Sequence, residues 1–198
     1  LATSMWSTTA SEVVDFVRRC LHCARNKGSV RAPRPFGSPL QGNAPNEVLY
    51  FDFLFIGASR GDPSVYKYVL VIKDSFSGFL RLYPCVTCDG VAAAHGLFSW
   101  YASFDIWKWL VSDNASHFKN DLLTELNRLL QAHTHHPPPY TPHAVGGVES
   151  VNRLLLQVLR CLMSEARAPF CDWIDYLPLV EKLLNERPDS SRSGFSHK

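Results

Sequence analysis

No stretch of this chain stays apolar for the roughly 20 residues that a membrane-spanning helix needs. Its first residues also lack the basic, apolar and small-residue succession of a secretory signal. No strong charge imbalance is present: 20 Lys and Arg face 18 Asp and Glu, leaving a formal net charge of +2. That balance permits a nucleic-acid partner without arguing for one. No internal repeat is visible, and there is no Met at position 1. A chain that begins at Leu1 is expected to be a fragment or a processed product. With no signal peptide, the six cysteines point to thiols or metal ligands rather than disulfides.

What is present is an ordinary globular composition, 46% hydrophobic and 19% charged over 198 residues. That length allows one good-sized domain and a small appendage. The basic excess is confined to residues 1–47, with six Lys and Arg against three acids. Residues 10–19 pattern as a short amphipathic helix with Val13, Phe16 and Val17 on one face and Ser11 as N-cap. Cys20-Leu-His-Cys23 follows. A CxxC turn can point two sulfurs at one zinc ion, but it supplies only two of four ligands. A pair of non-ligating thiols is an equal reading of the motif alone. Residues 28–46 are rich in Gly and Pro and read as an extended linker.

The main domain opens on Val48-Leu-Tyr-Phe-Asp-Phe-Leu-Phe-Ile56, a run that reads as a strand buried on both faces. Asp52 sits in its middle. An ionised carboxylate there is costly unless it reaches a polar opening, a partner or a cation. Further strands are predicted over 66–72, 79–86 and 106–111, with a short one near Thr134. The segment 73–78 makes a hairpin turn. Helices are predicted over 89–104, 120–131, 148–166 and 172–185. This order gives an α/β layer domain with a mixed sheet. The second pair, Cys85 and Cys88, lies too far from the first for one zinc site and reads as structural. His95, on an apolar helix stripe with Val91, Phe98 and Ala102, reads as a core histidine. His133, His135 and His136 carry no assignment. On the long helix, Val148, Val151, Leu155, Val158 and Leu162 form the expected core stripe. Glu149, Asn152, Arg153 and Arg160 fall on the other side.

Asp113 follows the fourth strand, and Glu149 lies in the first turn of the long helix. Each has a plain local role available, as a turn residue or a helix-start charge. Together with Asp52 they form a set that could converge. Converging carboxylates repel unless divalent cations sit between them. Two such ions would clamp the attacking and leaving oxygens of a phosphoryl transfer.

At these residues the chain resembles the integrases of retroviruses and gypsy-type LTR retrotransposons. The matching features are Phe51-Asp52-Phe53, the turn Lys73-Asp-Ser-Phe-Ser-Gly78 and Ser112-Asp113-Asn114. Tyr140-Thr-Pro142, Asn152-Arg153, Trp173, Leu177-Pro178 and Asn185 also match, and 35 residues separate Asp113 from Glu149. The chain departs from the pattern at Ala115, where Gly is frequent, and in His143-Ala-Val-Gly146. The resemblance implies an RNase H-like fold, a mixed five-stranded sheet flanked by helices. It divides the chain into a truncated zinc-module remnant (1–27), a linker (28–46) and a catalytic core (47–198). It implies Asp52, Asp113 and Glu149 as catalytic ligands of two Mg²⁺ or Mn²⁺ ions. In the intact protein it implies Zn²⁺ on Cys20 and Cys23, with two His upstream of Leu1. It implies DNA contacts from Asn114, Tyr140, Asn152 and Arg153. The expected activity is metal-dependent trimming of the 3′ ends of element DNA and their joining to target DNA, by a homo-multimer in the nucleus. No membrane and no small-molecule substrate are expected. The rival expectation is a domesticated or decayed module that binds DNA or protein without catalysis.

Overall fold

The computed structural model describes residues 9–20, 40–60, 65–112, 124, 126–128, 130–135 and 146–187. Cys23, Asp113, Asn114, Ala115, His136, Tyr140, His143 and most of the predicted 120–131 helix lie outside these residues, as does the linker up to residue 39.

Helix α1 spans Thr9–Arg19, and its apolar Val13 and Phe16 are exposed. Ser11 lies inside this helix rather than capping it, because the helix begins two residues earlier than its polar pattern suggests. The sheet is built from β1 (Val48–Phe55), β2 (Tyr68–Asp74), β3 (Leu80–Cys85) and β4 (Trp109–Ser112). A three-residue β5 (His133–His135) completes it, in the order β3-β2-β1-β4-β5. The β3-β2-β1 half is antiparallel, while β4 runs parallel to β1 and β5 parallel to β4. Helix α2 (Gly90–Phe104) covers one face. Helices α3 (Gly146–Glu165) and α4 (Trp173–Glu186) cover the other.

Strand alternation divides β1 between these two layers. Val48 and Tyr50 pack with Leu155, Leu159, Trp173 and Leu177 of α3 and α4. Leu49 and Phe51 pack with Ala93, Leu97 and Trp100 of α2. The expectation of burial on both faces therefore holds for the first half of β1. Exposure rises beyond Asp52 and reaches 62% at Phe55.

Helix α2 is started by Asp89, whose carboxylate accepts the Ala92 N–H at 2.9 Å. It lies close on the sheet at Gly96, where an added Cβ would come within 2.3 Å of Leu70 Cδ2. Its buried arc is Ala93, Gly96, Leu97 and Trp100. Val91, His95, Phe98 and Ala102 form the opposite, solvent-facing arc. His95 is thus exposed and not a core residue. The helix has no charged residue between 90 and 104, so its sequence pattern alone does not distinguish the two arcs.

The start of the domain is tied to this layer. Gly42 N–H donates to Ser75 Oγ at 2.8 Å, and Asn46 N–H donates to Asp74 Oδ1 at 3.1 Å. Asn46, with φ of 61°, receives the Trp100 indole N–H at 3.0 Å and donates to the Phe104 carbonyl. Residues 40–46 therefore run along the core as a docked strap.

The outer edge of β3 is sealed by α4. In an antiparallel edge strand, alternate residues point their N–H and C=O groups outward. On β3 these are Leu80, Leu82 and Pro84. The Asn185 side chain pairs with both groups of Leu80, each at 2.9 Å. The Glu181 carboxylate accepts the Leu82 N–H at 2.7 Å, and Pro84 has no N–H to offer. Glu181 also pairs with Arg81 at 3.3 Å.

Two outcomes follow from this seal. Asn185→Ala leaves two buried backbone groups without partners and is expected to cost about 2–4 kcal/mol, read from urea midpoints at constant m. A loss under about 0.5 kcal/mol would mean that the edge does not need Asn185. Burial pushes the Glu181 carboxyl above its ordinary range, against the pull of the Leu82 N–H and Arg81. The folded state then holds this proton more tightly than the unfolded state. The contribution is full below the usual glutamate range and is lost as pH rises through the raised value. Glu181→Gln should flatten the pH dependence of stability in that window. An identical pH profile in the variant would refute the assignment.

Candidate functional site

Asp52 is the fifth residue of β1 and opposes Val71 of β2. Its parity with Val48 and Tyr50 directs it to the face covered by α3. It is half-buried, and its carboxylate is held from two sides. Oδ1 accepts the Phe53 N–H at 2.8 Å, and Oδ2 accepts Asn152 Nδ2 at 2.8 Å. Each carboxylate oxygen has two acceptor sites, so neither of these two bonds by itself saturates its oxygen.

Asn152 belongs to the buried arc of α3. That arc is Asn152, Leu155, Leu159 and Met163. Val151, Val158 and Leu162 are only half-buried. The core stripe is therefore turned by about one residue from the expected one, and Asn152 lies inside it at 9% exposure. Asn152 is therefore not on the side opposite the core, as expected, and its amide faces the Asp52 carboxylate. The apolar pattern misled because Leu154, Leu155 and Leu156 fit either phase. Arg153, by contrast, is exposed as expected.

The neighbours of all three expected acids meet at this place. Ser112, the residue before Asp113, is the register partner of Phe51, the residue before Asp52. The backbone of Glu149 lies in the first turn of α3, one turn ahead of Asn152. Among the described residues, no three His, Cys, Asp or Glu side chains cluster as a metal site, and Asp52 is the one described side chain of the expected trio.

One buried polar atom beside Asp52, Asn152 Oδ1, has no hydrogen-bond partner among the described residues; the unpartnered Ser112 Oγ shares the face of its register partner Phe51, on the α2 side. A hard divalent cation with its water shell suits such oxygen-rich surroundings. The residues that are described therefore fit a metal at this carboxylate. Cys20, expected as a zinc ligand, follows α1 and is half-buried. Cys85 is buried, and burial raises its thiol pKa. It lines an open cleft of about 340 Å³ with Asp89 and His95. That cleft lies on the α2 side of the sheet, away from Asp52.

The loop that leaves β1 is also pinned. The Trp173 indole N–H donates to the Gly57 carbonyl at 3.1 Å, and the Arg60 N–H donates to the Cys171 carbonyl at 2.7 Å. Arg60 pairs with Asp172 at 3.1 Å. Neither this pinning nor the Asn152 contact was read from the sequence. The only signal available was a polar residue three places after Glu149 in a leucine-rich helix.

No protein-family model matches the chain. The Gag-Pol polyprotein of avian reticuloendotheliosis virus is 30% identical over 184 residues, covering 92% of this chain and 15% of that protein. The Pro-Pol polyprotein of simian foamy virus type 3 (strain LK3) is 26% identical over 193 residues, covering 97% of this chain and 16% of that protein. The chain thus spans about one-sixth of the length of these relatives. Among solved structures, a simian T-cell lymphotropic virus intasome in complex with the PP2A regulatory subunit B56 gamma superposes with a TM-score of 0.70. The match has 19% identity and covers 96% of this chain and 66% of that one. The HTLV-2 integrase catalytic core domain, in complex with magnesium, gives a TM-score of 0.61 at 16% identity, covering 79% of this chain and 97% of that one. The sheet order and the flanking helices agree with these likenesses: the chain is similar to one stretch of retroviral Pol polyproteins and shares the fold of an integrase catalytic core domain.

Proposed function

We propose that this chain is the catalytic part of a retroelement integrase. It would act as a metal-dependent polynucleotidyl transferase that trims the 3′ ends of element DNA and joins them to target DNA. The observation that carries the proposal is the Asp52 carboxylate in the central strand, oriented by an amide from the helix that bears Glu149. In trimming, a water oxygen attacks a phosphodiester phosphorus and the P–O3′ bond breaks, leaving a free 3′-OH. In joining, that 3′-OH attacks a target phosphodiester and the target's P–O3′ bond breaks. Neither step needs a covalent enzyme intermediate.

Asp52, Asp113 and Glu149 would hold two Mg²⁺ or Mn²⁺ ions. When bound, these supply charge to the reacting phosphate and favour ionisation of the attacking oxygen. The chain's own residues supply position. Asn152 and the Phe53 N–H fix the Asp52 carboxylate, and the buried half of β1 keeps that strand from shifting. Arg153, exposed beside this site, suits a phosphate contact, and Asn114 and Tyr140 are assigned the same task from the resemblance. In the intact protein, Cys20 and Cys23 would share a Zn²⁺ with two histidines. The working form is proposed to be a homo-multimer acting on nuclear DNA. The exposed, uncharged arc of α2, with Val91 and Phe98 at 51% and 61% exposure, supports such self-association.

Strand-transfer and 3′-processing assays with Mg²⁺ test the proposal. Asp52→Asn is expected to lower product yield on the order of a hundredfold or more while leaving thermal unfolding cooperative. Normal yield from that variant would sink the catalytic reading. Asn152→Leu keeps volume and burial but removes the donor to Asp52. It is expected to weaken metal-dependent activity about 10–100-fold, with the apparent affinity for Mn²⁺ falling in a calorimetric titration. Unchanged metal affinity and yield would reduce Asn152 to a packing residue.

A further inference from the structure

Helix α3 carries a second feature that the catalytic reading does not use. Between residues 150 and 167, the helix and the turn that closes it hold three arginines, Arg153, Arg160 and Arg167, and one acid, Glu165. The arginines recur every seven residues, and all three are exposed. Seven residues are nearly two turns of helix, so Arg153 and Arg160 share one face about 10.5 Å apart. Arg167 follows in the turn that closes the helix, where it has φ of 53° and its N–H bonds the Ser164 carbonyl at 3.3 Å. Glu165 falls well over 100° around the helix from this row. No ion pair engages Arg160 or Arg167 among the described residues. An ordinary solvated helix face mixes signs and supports itself with oppositely charged neighbours three or four apart. From Arg153 onward, past Glu149 at the helix start, this row has one sign only. Its spacing slightly exceeds the Debye length of about 8 Å at physiological salt, so the charges repel one another little.

The row is in line with the candidate site. On the helical wheel, position 149 falls on the same side as positions 153 and 160, about a quarter-turn from the buried arc through Leu155 and Leu159. A polyanion that enters at the Asp52 carboxylate and lies along α3 would meet Arg153 first, then Arg160, then Arg167. Single DNA strands present a phosphate about every 3.4 Å along the duplex axis. Each arginine step thus corresponds to about three base pairs, within reach of a long flexible side chain with a planar, bidentate phosphate-binding head.

We infer that Arg160 and Arg167 form a phosphate track that holds duplex DNA some three to six base pairs beyond the reacting end. The inference rests on the integrase reading and deepens it, by naming where the DNA runs after it leaves the catalytic carboxylates. The track reads charge and not sequence.

The test is fluorescence anisotropy of the full chain with a labelled 20-base-pair duplex in Mg²⁺ buffer, titrated at several salt concentrations between 50 and 200 mM. Each lost phosphate contact lowers the slope of log affinity against log salt by about 0.9. Arg160→Gln/Arg167→Gln is therefore expected to lower the slope by about 1.8. Over that salt range the variant should lose about twelvefold less affinity than the wild type. A charge-matched control, Lys67→Gln/Lys108→Gln, alters exposed residues elsewhere and should keep the wild-type slope. Circular dichroism melts confirm that all three proteins are folded. Wild-type binding with an unchanged slope in the arginine variant overturns the track alone. So does an equal loss in the lysine control, which would assign the effect to net charge. Absence of duplex binding by the folded wild type overturns the DNA reading itself, and with it the track.

Discussion

The hydrogen bond from Asn152 to Asp52 is the contact on which the arrangement of this domain turns. Asp52 stands in the central strand of a sheet whose first half is buried on both sides. A carboxylate in such a strand must find donors, and the sheet's own ladder offers few, because its N–H groups are spent on neighbouring strands. One donor is local, the N–H of Phe53. The other must come from the layer above, and that layer is α3. An all-apolar α3 would pack well and leave the acid unsupported. Placing one amide at the start of the buried arc resolves both demands, since Leu155, Leu159 and Met163 continue the packing below it. The helix is thereby locked in rotation as well as in position. Turning it by one residue would break the contact with Asp52 and expose leucines at once.

The second demand is that β1 itself stay still. Its flanks, β2 and β4, fix it in the sheet, and its exit is fixed by α4. Trp173 is fully buried, and its indole reaches the carbonyl of Gly57 just past the strand. The same helix closes the far edge of the sheet through Glu181 and Asn185. A single amphipathic helix therefore holds the sheet at two points, at the exit of the central strand and along the outer edge. Its core residues Leu177, Val180 and Leu184 lie between these points. Mobility at the Asp52 carboxylate is limited by packing remote from it.

Much of this was legible in the sequence because hydrophobic pattern and turn chemistry are local. The order of strands and helices followed from runs such as 68–72 and from the Asp74–Gly78 turn, where Gly78 takes φ of 75°. Asp52 was marked by its cost in an apolar run. What escaped the reading depends on how layers meet. Three consecutive leucines leave the phase of α3 open, and the apolar pattern puts Asn152 on the side facing DNA rather than on the buried arc. His95 was assigned to the core because α2 is apolar on both arcs, and only packing on the sheet decides which one is inside. The pairing of Asn185 with Leu80 joins residues 105 apart and has no signature in either segment. Asp113 and the side chain of Glu149 lie outside the described residues, so their roles rest on spacing and on the position of Ser112 and Asn152 beside Asp52.

The docked strap at residues 40–46 alters the geometry of the whole chain. By composition, the Gly- and Pro-rich segment beginning at residue 28 suggested a free tether as far as residue 46. Yet Leu40 is already bound, its carbonyl accepting the Tyr50 hydroxyl at 2.6 Å, and Asn46 is held by Asp74 and Trp100. Tyr50 is buried, which raises its pKa to about 12, so this hydroxyl stays protonated and donating throughout the physiological range. Residues 28–39 alone then separate this anchor from the first 27 residues. Twelve residues span at most about 40 Å, against about 65 Å for the full nineteen. The anchor lies beside the Asp74 turn and the C-terminal end of α2. Whatever residues 1–27 form is thus restricted to a sphere centred on that layer. A loose linker would leave the position of those residues to chance, whereas a strap that docks on α2 makes their reach a property of the core fold.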